Sequence, residues 1–358
     1  MSVYYLLLFI TFILQFTSAK TDQQYLKRTI ISFIPFFIYA ATRLNFGPDY
    51  SAYESFFETI KEIPFKDYDP ETLHMERGFA YLCKIIPSWR LFLVLDSFLV
   101  AATYVSLIYK YVPRNYSWLA VLLIFLTGNN TIFFDLVAMR NGIVVSILIL
   151  SLPLIKNRKL LPFAAITGLA YTIHASAIFF FPLAYLLGVN KSLTKKELYI
   201  WTGVLLAFTV LSANNIIDRI TFVVMLIGDR YESTLQEVAE NYNRGFLATI
   251  FSLLLSGLLL IGQYKGEKNL NDNEKVILRL SLLFSFSYLL GSLNTRVSQY
   301  FVLMFIAAIP ILTNISKNGY KYFLIGLVLV YCFYSFYIVW ILNNPYFVYQ
   351  QYHSTLFD

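Results

Sequence analysis

The apolar stretch LPFAAITGLAYTIHASAIFFFPLAYLL, residues 161–187, has His174 near its centre and a cationic segment on each side. KNRK precedes it at residues 156–159, and KSLTKK follows it at residues 191–196. As one helix the stretch would be about 40 Å long against a bilayer core of about 30 Å, and one cationic flank would lie on the wrong side. We therefore expect two half-helices that meet near His174 and return to the same face.

Apolar stretches of similar length recur along the whole chain. Among its 358 residues, 58% are hydrophobic and 14% are charged, which favours a helical bundle in lipid over soluble domains. The stretches lack the alternation of barrel strands. We predict an all-α polytopic integral membrane bundle, one domain over residues 1–358, with about 10–12 transmembrane segments and a broken, re-entrant helix pair around His174. The predicted spans are residues 3–19, 28–43, 91–109, 117–134, 136–155, 198–213, 245–263, 276–293, 297–314 and 323–342.

Charges are sorted between the gaps that separate these spans. Lysine is concentrated in alternate gaps, and the other gaps carry most of the acids. By the positive-inside rule the lysine-rich gaps lie inside, which puts both chain ends outside and makes residues 44–90 and 214–243 outer-face loops. The first of these loops contains an amphipathic segment from Glu76 to Ile86, expected to lie on the surface. Because the net charge of +7 resides in short loops at helix ends, it does not indicate nucleic-acid binding.

The cations that remain on the predicted outer face are mostly arginines, whose planar fork suits phosphate or carboxylate. Six residues from separate parts of the chain are candidates for a site there: Arg43, Asp49, Glu76, Arg140, His174 and Arg296. Each also has a structural interpretation. Arg43 is then an interfacial anchor, Arg140 pairs with Asp135, and His174 is a satisfied core residue. Their convergence on one face favours a membrane-anchored anionic substrate, with a carboxylate or histidine as base.

Five short motifs occur in order along the chain. They are Arg43-(x)5-Asp49-Tyr50-(x)2-Tyr53, Glu76-x-Gly78-Phe79, Arg140-Asn141-Gly142, Tyr171-Thr172-Ile173-His174-Ala175-Ser176-Ala177-Ile178 followed by Pro182, and Arg296-(x)3-Tyr300-Phe301. Together they resemble the EpsG family of Wzy-like polysaccharide polymerases. The segment around His174 is the most specific of the five, and the resemblance extends over nearly the whole chain.

The resemblance implies a glycosyltransferase of the bacterial cytoplasmic membrane. Such an enzyme joins oligosaccharide repeat units carried on undecaprenyl diphosphate at the outer face, for capsule, exopolysaccharide or O-antigen. A flippase and a chain-length regulator are the expected partners. No metal-ligand spacing is present in the sequence, so neither a metal nor another cofactor is expected.

On this basis each candidate residue receives a role. Arg140 and Arg296 are assigned to the diphosphate, with Arg43 as a third contact, because arginines stabilise developing charge. His174 or Asp49 is the base, and Glu76 is a further catalytic candidate. Tyrosines can stack on sugar rings, and those assigned to this role are Tyr50, Tyr53 and Tyr300.

Two other classes of protein remain possible at this point. An O-antigen ligase transfers a glycan from the same lipid diphosphate, but such proteins generally carry one large outer loop late in the chain, and residues 214–243 form a modest one. A flippase for lipid-linked sugars, or another transporter, also fits a bundle with buried arginines. The chain shows no internal repeat, and its charged residues collect on one side instead of lining a path through the middle.

Overall fold

The computed structural model is a bundle of helices. It describes residues 2–17, 19–47, 49–70, 75–126, 136–213, 246–266, 269–287, 294–336 and 353–354. The predicted outer loop at residues 214–243 lies outside the described residues, as does Asp135.

The described residues form fourteen helices. They are α1 (Ser2–Phe16), α2 (Asp22–Ala41), α3 (Tyr50–Glu62), α4 (Arg77–Ile85), α5 (Trp89–Tyr111), α6 (Ser117–Leu126), α7 (Met139–Lys156), α8 (Leu160–Ile173), α9 (Ala177–Leu187), α10 (Lys195–Ala213), α11 (Phe246–Lys265), α12 (Asp272–Ser287), α13 (Asn294–Ile315) and α14 (Asn318–Phe336). Short 3-10 turns occur at Phe65–Asp67 and Arg114–Tyr116. Two strands of two residues each, β1 (Arg43–Leu44) and β2 (His353–Ser354), pair antiparallel.

Helix α2 carries an apolar face on the outside of the bundle. Ile30, Ile34 and Ile38 recur at every fourth residue, and each is 45% exposed. The opposite face, which includes Phe33 and Ala40, is buried against the other helices. An outward apolar stripe of this kind suits a helix that packs on protein with one side and on lipid with the other.

Among the described residues, three helical stretches are long and apolar enough to cross a membrane by length and composition: Trp89–Tyr111, Met139–Lys156 and Ser298–Ile315. Shorter apolar helices surround them. The predicted all-α membrane bundle is confirmed. Residues 127–134, 288–293 and 337–342, which belong to three of the predicted spans, lie outside the described residues, so the number of crossings stays a prediction.

Both described ends of the chain lie at the same end of the bundle. Helix α1 runs antiparallel to α2, since Gln15 Nε2 donates to Ser32 Oγ at 2.6 Å and Arg28 Nη1 donates to the Thr17 carbonyl at 2.6 Å. The beginning of α1 is therefore near the end of α2, where β1 pairs with β2. The side of the membrane on which the two termini lie stays a prediction.

The half-helix pair around His174 is present as expected. Helix α8 ends at Ile173, and α9 begins at Ala177. Phe163 stacks on Phe181 with ring centroids 5.8 Å apart and on Tyr185 at 5.2 Å, so the two arms run antiparallel from an apex at His174. At 14 and 11 residues the arms are about 21 and 16 Å long, and each is too short to span the bilayer core.

The segment between α2 and α5 is folded into helices α3 and α4, which hold each other by a reciprocal pair of lysines. Lys84 Nζ donates to the carbonyl of Ile60 at 3.0 Å, and Lys61 Nζ donates to the carbonyl of Lys84 at 2.9 Å. Each ammonium thus binds carbonyl oxygens near the C-terminus of the other helix, a favourable position for a cation. Helix α4 buries Phe79 and Cys83 on one side and exposes Arg77 and Tyr81 on the other. Its location at the membrane surface stays a prediction.

Candidate active site

Glu76 is the residue at which three separate parts of the chain meet. It is the N-cap residue of α4. Its Oε2 accepts a hydrogen bond from Arg140 Nη1 in the first turn of α7, and its Oε1 lies 3.2 Å from His174 Nδ1. Oε1 also accepts from the backbone N–H of Ala175 at 3.1 Å. One carboxylate therefore joins a loop helix, a long helix and the apex of the half-helix pair.

The contact with Ala175 explains how the broken backbone at the apex is satisfied. His174 ends α8 in an extended conformation, with φ −151° and ψ 117°, so regular helical bonding stops there. A backbone N–H without a partner is costly away from water, and Glu76 supplies the acceptor for Ala175. The side chain of His174 is 5% exposed, and that of Glu76 is 16% exposed.

Arg140 is surrounded by the Glu76 carboxylate and two aromatic rings. Its Nε lies 3.4 Å from the Tyr53 hydroxyl, and its guanidinium carbon is 5.9 Å from the centre of the Tyr53 ring and 6.0 Å from that of Phe79. The side chain remains 18% exposed. A guanidinium has five N–H donors, and Nη2 of Arg140 makes no hydrogen bond to any described residue. The site thus holds a positive group with donors left to offer.

The pKa of Glu76 keeps this carboxylate ionised. Burial acts to raise the pKa, but the hydrogen bond with His174, the charge of Arg140 and the N–H of Ala175 outweigh burial and lower it to about 2. A carboxylate with so low a pKa is a poor proton acceptor near neutral pH. Its geometry suits holding and orienting Arg140 and His174.

Two glycines allow the loop to approach the half-helix pair and α7. A Cβ added at Gly78 would lie 2.2 Å from Thr172 Oγ1 and 2.6 Å from the Thr172 carbonyl oxygen. Gly47 has φ +88°, and a Cβ there would lie 2.4 Å from Val137. Gly78 is two residues from Glu76, and Thr172 is two residues from His174, so this close approach brings the two side chains together.

Arg43 lies elsewhere, in a sealed ion pair with Asp96 of α5. Its Nη2 is 2.8 Å from Asp96 Oδ2, and its Nη1 donates to Ser97 Oγ at 2.7 Å and to the Ala40 carbonyl at 2.6 Å. The side chains of Arg43 and Asp96 are 0% and 1% exposed. The structure does not bring Arg43 together with Arg140 and Glu76, and its predicted contact with the diphosphate stays a prediction.

The three tyrosines predicted to bind sugar are all buried. The Tyr50 hydroxyl accepts from Trp89 Nε1 at 3.0 Å, and Tyr53 lies against Arg140. Tyr300 shares a hydrogen bond of 2.8 Å with Ser176 and stacks on a neighbouring phenylalanine ring. All three are less than 10% exposed, and their contact with sugar stays a prediction.

Helix α13 is tied to the site at two points. Gln299 Oε1 accepts from Asn141 Nδ2 at 2.9 Å, next to Arg140, and Tyr300 binds Ser176 beside the apex. Arg296 belongs to the same helix and precedes Tyr300 by four residues, which is about one helical turn. The backbone of Arg296 therefore lies close to the site.

Asp49, the alternative base, is exposed at the start of α3, and its carbonyl accepts from the N–H of Tyr53 at 3.0 Å. It is thus one turn from the tyrosine that contacts Arg140.

In the part of the chain that the structure describes, no group of three or more His, Cys, Asp or Glu side chains could hold a metal ion.

The residue that the sequence interpretation missed is Asp96. It stands alone among acids in the apolar stretch of α5, and an acid inside a predicted span signals a buried partner. That signal predicts a pair but does not identify Arg43. Ser176 lies within the motif around His174 but was given no role, and Gln299 was given none either, since hydroxyl and amide side chains carry no comparable signal.

The family model of the EpsG family matches residues 28–354, nearly the whole chain. Neither a curated protein nor a solved structure matches the sequence. The matched range includes all the site residues described above.

Proposed function

Because the chain belongs to the EpsG family, we propose that it is a membrane glycosyltransferase, a Wzy-like polymerase that joins lipid-linked oligosaccharide units into a polysaccharide. The substrate is an oligosaccharide repeat unit on undecaprenyl diphosphate. The product is a capsule, an exopolysaccharide or an O-antigen. The reaction takes place at the outer face of the bacterial cytoplasmic membrane, with a flippase supplying the units and a chain-length regulator limiting the polymer.

One observation carries this proposal: the Glu76 carboxylate binds Arg140 with one oxygen and His174 with the other. A transfer from a lipid diphosphate needs a cation for the leaving group and a base for the attacking hydroxyl. Glu76 holds a candidate for each role, and the hydrogen bonds that it makes fix their relative positions.

In the proposed step the acceptor hydroxyl oxygen bonds to the anomeric carbon of the growing chain. The bond between that carbon and the diphosphate oxygen breaks, and its electrons leave with the diphosphate. Arg140 stabilises this charge, and Arg296 is the second contact. Nη2 of Arg140 has no other partner among the described residues, which favours this role.

His174 is the proposed base, and it takes the proton of the acceptor hydroxyl. The imidazolium so formed has its Nδ1–H directed at Glu76 Oε1, 3.2 Å away, where the negative charge stabilises it. Asp49 is exposed at the start of α3, one turn before Tyr53. Because the support for His174 is this pairing alone, Asp49 is kept as the competing assignment in the test.

The test uses a strain without the gene, complemented with the intact chain, with Glu76→Gln, or with Glu58→Gln. Glu58 is an exposed residue of α3 and gives a control with the same chemical change in the same loop. Polymer length and lipid-linked intermediates are measured together. We expect long polymer from the intact chain and the control, and single lipid-linked units at the outer face with Glu76→Gln.

Other distributions of product would overturn the proposal. Single units retained at the inner face without the gene would identify a flippase. Long polymer that stays attached to its lipid carrier would identify a ligase. Normal polymer from Glu76→Gln would remove the carboxylate from the mechanism while leaving the family assignment intact.

The choice of base is tested with His174→Ala and Asp49→Ala in purified protein, from the rate of polymerisation against pH. Loss of a general base costs on the order of 10²- to 10⁴-fold in rate. We expect this loss, and a change in the pH profile, for His174→Ala only. A large loss for Asp49→Ala with His174→Ala near normal would reverse the assignment.

A further inference from the structure

A cavity of about 500 Å³ opens at the end of the bundle opposite the candidate active site. Its lining includes Tyr25, Tyr109, Lys110, Lys156 and Asn273. The volume lies in the range of sites that hold small molecules or lipid headgroups. None of these residues belongs to the proposed catalytic reaction.

The position of the cavity follows from helices α5 and α7. Each helix has one end at the candidate active site and the other end at the cavity. Arg140 lies in the first turn of α7 and Lys156 ends that helix, a separation of about 24 Å at 1.5 Å per residue. Trp89 begins α5 next to Tyr50, and Lys110 lies in its last turn, about 32 Å away. The cavity is therefore on the opposite membrane face, where the sequence predicts the lysine-rich gaps.

The charge on the cavity wall is positive. Its carboxylate, Asp22, is paired with Arg114, which also lines the cavity. Neither Lys110 nor Lys156 forms an ion pair or a hydrogen bond with any residue that the structure describes. Two ammonium groups thus face one space without a counter-ion from the described protein.

Further donors are available on the same wall. The hydroxyl of Tyr109 and the side chain of Asn273 make no hydrogen bond to a described residue, and the Tyr109 ring packs against Tyr25 at 5.8 Å. Lysines at helix ends on this face are ordinary in membrane proteins, where they set orientation. The orientation of the protein in the membrane does not require such side chains to converge on one cavity. Here two lysines, a hydroxyl and an amide from α5, α7 and α12 do so.

We propose that this cavity binds a phosphate group, with Lys110 and Lys156 as its cations and Tyr109 and Asn273 as hydrogen-bonding neighbours. The phosphate comes either from the headgroup of an anionic lipid or from a soluble phosphate compound. Basic pockets between transmembrane helices on the lysine-rich face bind anionic headgroups in other membrane proteins. The site is independent of the polymerase reaction and of the orientation assigned to it.

The test measures ligand binding to the full chain in a neutral detergent by native mass spectrometry. The probes are short-chain phosphatidylglycerol, short-chain phosphatidylcholine and inorganic pyrophosphate. The variant is Lys110→Gln with Lys156→Gln. The matched control is Lys159→Gln with Lys196→Gln, two exposed lysines of the same predicted face outside the cavity lining.

We expect an anionic probe to bind the intact chain and the control alike and to bind the cavity variant about 25-fold more weakly, since each lysine beside an anionic headgroup contributes about a factor of five. Binding of phosphatidylglycerol without pyrophosphate identifies a lipid headgroup as the source. Binding of pyrophosphate identifies a soluble phosphate. Equal weakening in the control, equal binding of phosphatidylcholine, or no binding of either anionic probe would overturn the proposal.

Discussion

Arg43 and Arg140 were given the same role from the sequence, and the structure puts them in two different environments. Arg43 and its partner Asp96 have side chains that are 0% and 1% exposed, whereas Arg140 and Glu76 are 18% and 16% exposed. Arg43 directs its two terminal nitrogens at a carboxylate, a hydroxyl and a backbone carbonyl. Arg140 keeps one terminal nitrogen without a partner among the described residues. A sealed arginine pair holds helices together, while an open pair can receive a substrate.

The largest expected effect is the loss of polymerisation rate in the variant Arg140→Ala. We expect a loss on the order of 10³-fold or more, as for arginines that stabilise a leaving phosphate. Arg140→Lys keeps the charge but loses the fork, and we expect it to recover little of the rate. The measurement is the initial rate with purified lipid-linked units, together with the melting temperature. A normal rate in Arg140→Ala would contradict the difference in role between Arg140 and Arg43.

Arg43 is expected to act on stability instead of rate. Arg43→Met leaves Asp96 buried without its cation, which costs about 3–5 kcal/mol of folding free energy. Arg43 Nε and Asp96 Oδ1 have no hydrogen-bond partner among the described residues, so the pair is not fully satisfied. We therefore expect the double change Arg43→Met with Asp96→Leu to recover most of the stability and to polymerise normally. A stable but inactive double variant would return Arg43 to the active site.

Gly78→Ala is expected to have a smaller effect, because it displaces the ion pair of Arg140 and Glu76 without removing either side chain. The new Cβ would lie within 2.6 Å of the Thr172 carbonyl oxygen, so α4 must shift, at a cost of about 1–3 kcal/mol. Misplacing Glu76 should also slow the reaction, by up to about 10²-fold. Gly168→Ala is the control, since nothing lies within 4 Å of a Cβ there. Equal rates in the two variants would contradict the role given to Gly78.

The smallest expected effect concerns pH. The pKa of Glu76 is about 2 in the folded protein, below its ordinary value of 4.5, so its charge stabilises the fold above pH 4.5 and this contribution is lost as the pH falls toward 2. Because Glu76 stays ionised throughout, the difference in melting temperature between the intact chain and Glu76→Gln should not shrink from pH 8 to pH 5. A difference in melting temperature that already shrinks between pH 7 and pH 5 would show that the ion pair of Arg140 and Glu76 is weaker than its geometry indicates.

The half-helix pair could be predicted from the sequence because its signals are local. The length of residues 161–187 and the two cationic flanks are all within one segment. The partner of Arg140 could not be identified in this way. Asp135, the neighbour considered from the sequence, lies outside the described residues, and the partner in the structure is Glu76, 64 residues away. That pairing depends on how closely α4 approaches α8, which hydrophobic periodicity does not reveal.

The half-helix pair also constrains the order in which the protein is assembled. The apex has two partners: Glu76, which is synthesised before it, and Tyr300, which is synthesised after it. A nascent chain that has passed His174 already contains Glu76 and Arg140, yet the contact between Ser176 and α13 does not exist until residue 300 has been synthesised. The arms are too short to act as stable spans by themselves, so they depend on helices inserted around them. The centre of the protein is therefore completed near the end of its biogenesis, and a chain truncated before α13 should insert in the membrane without forming a working site.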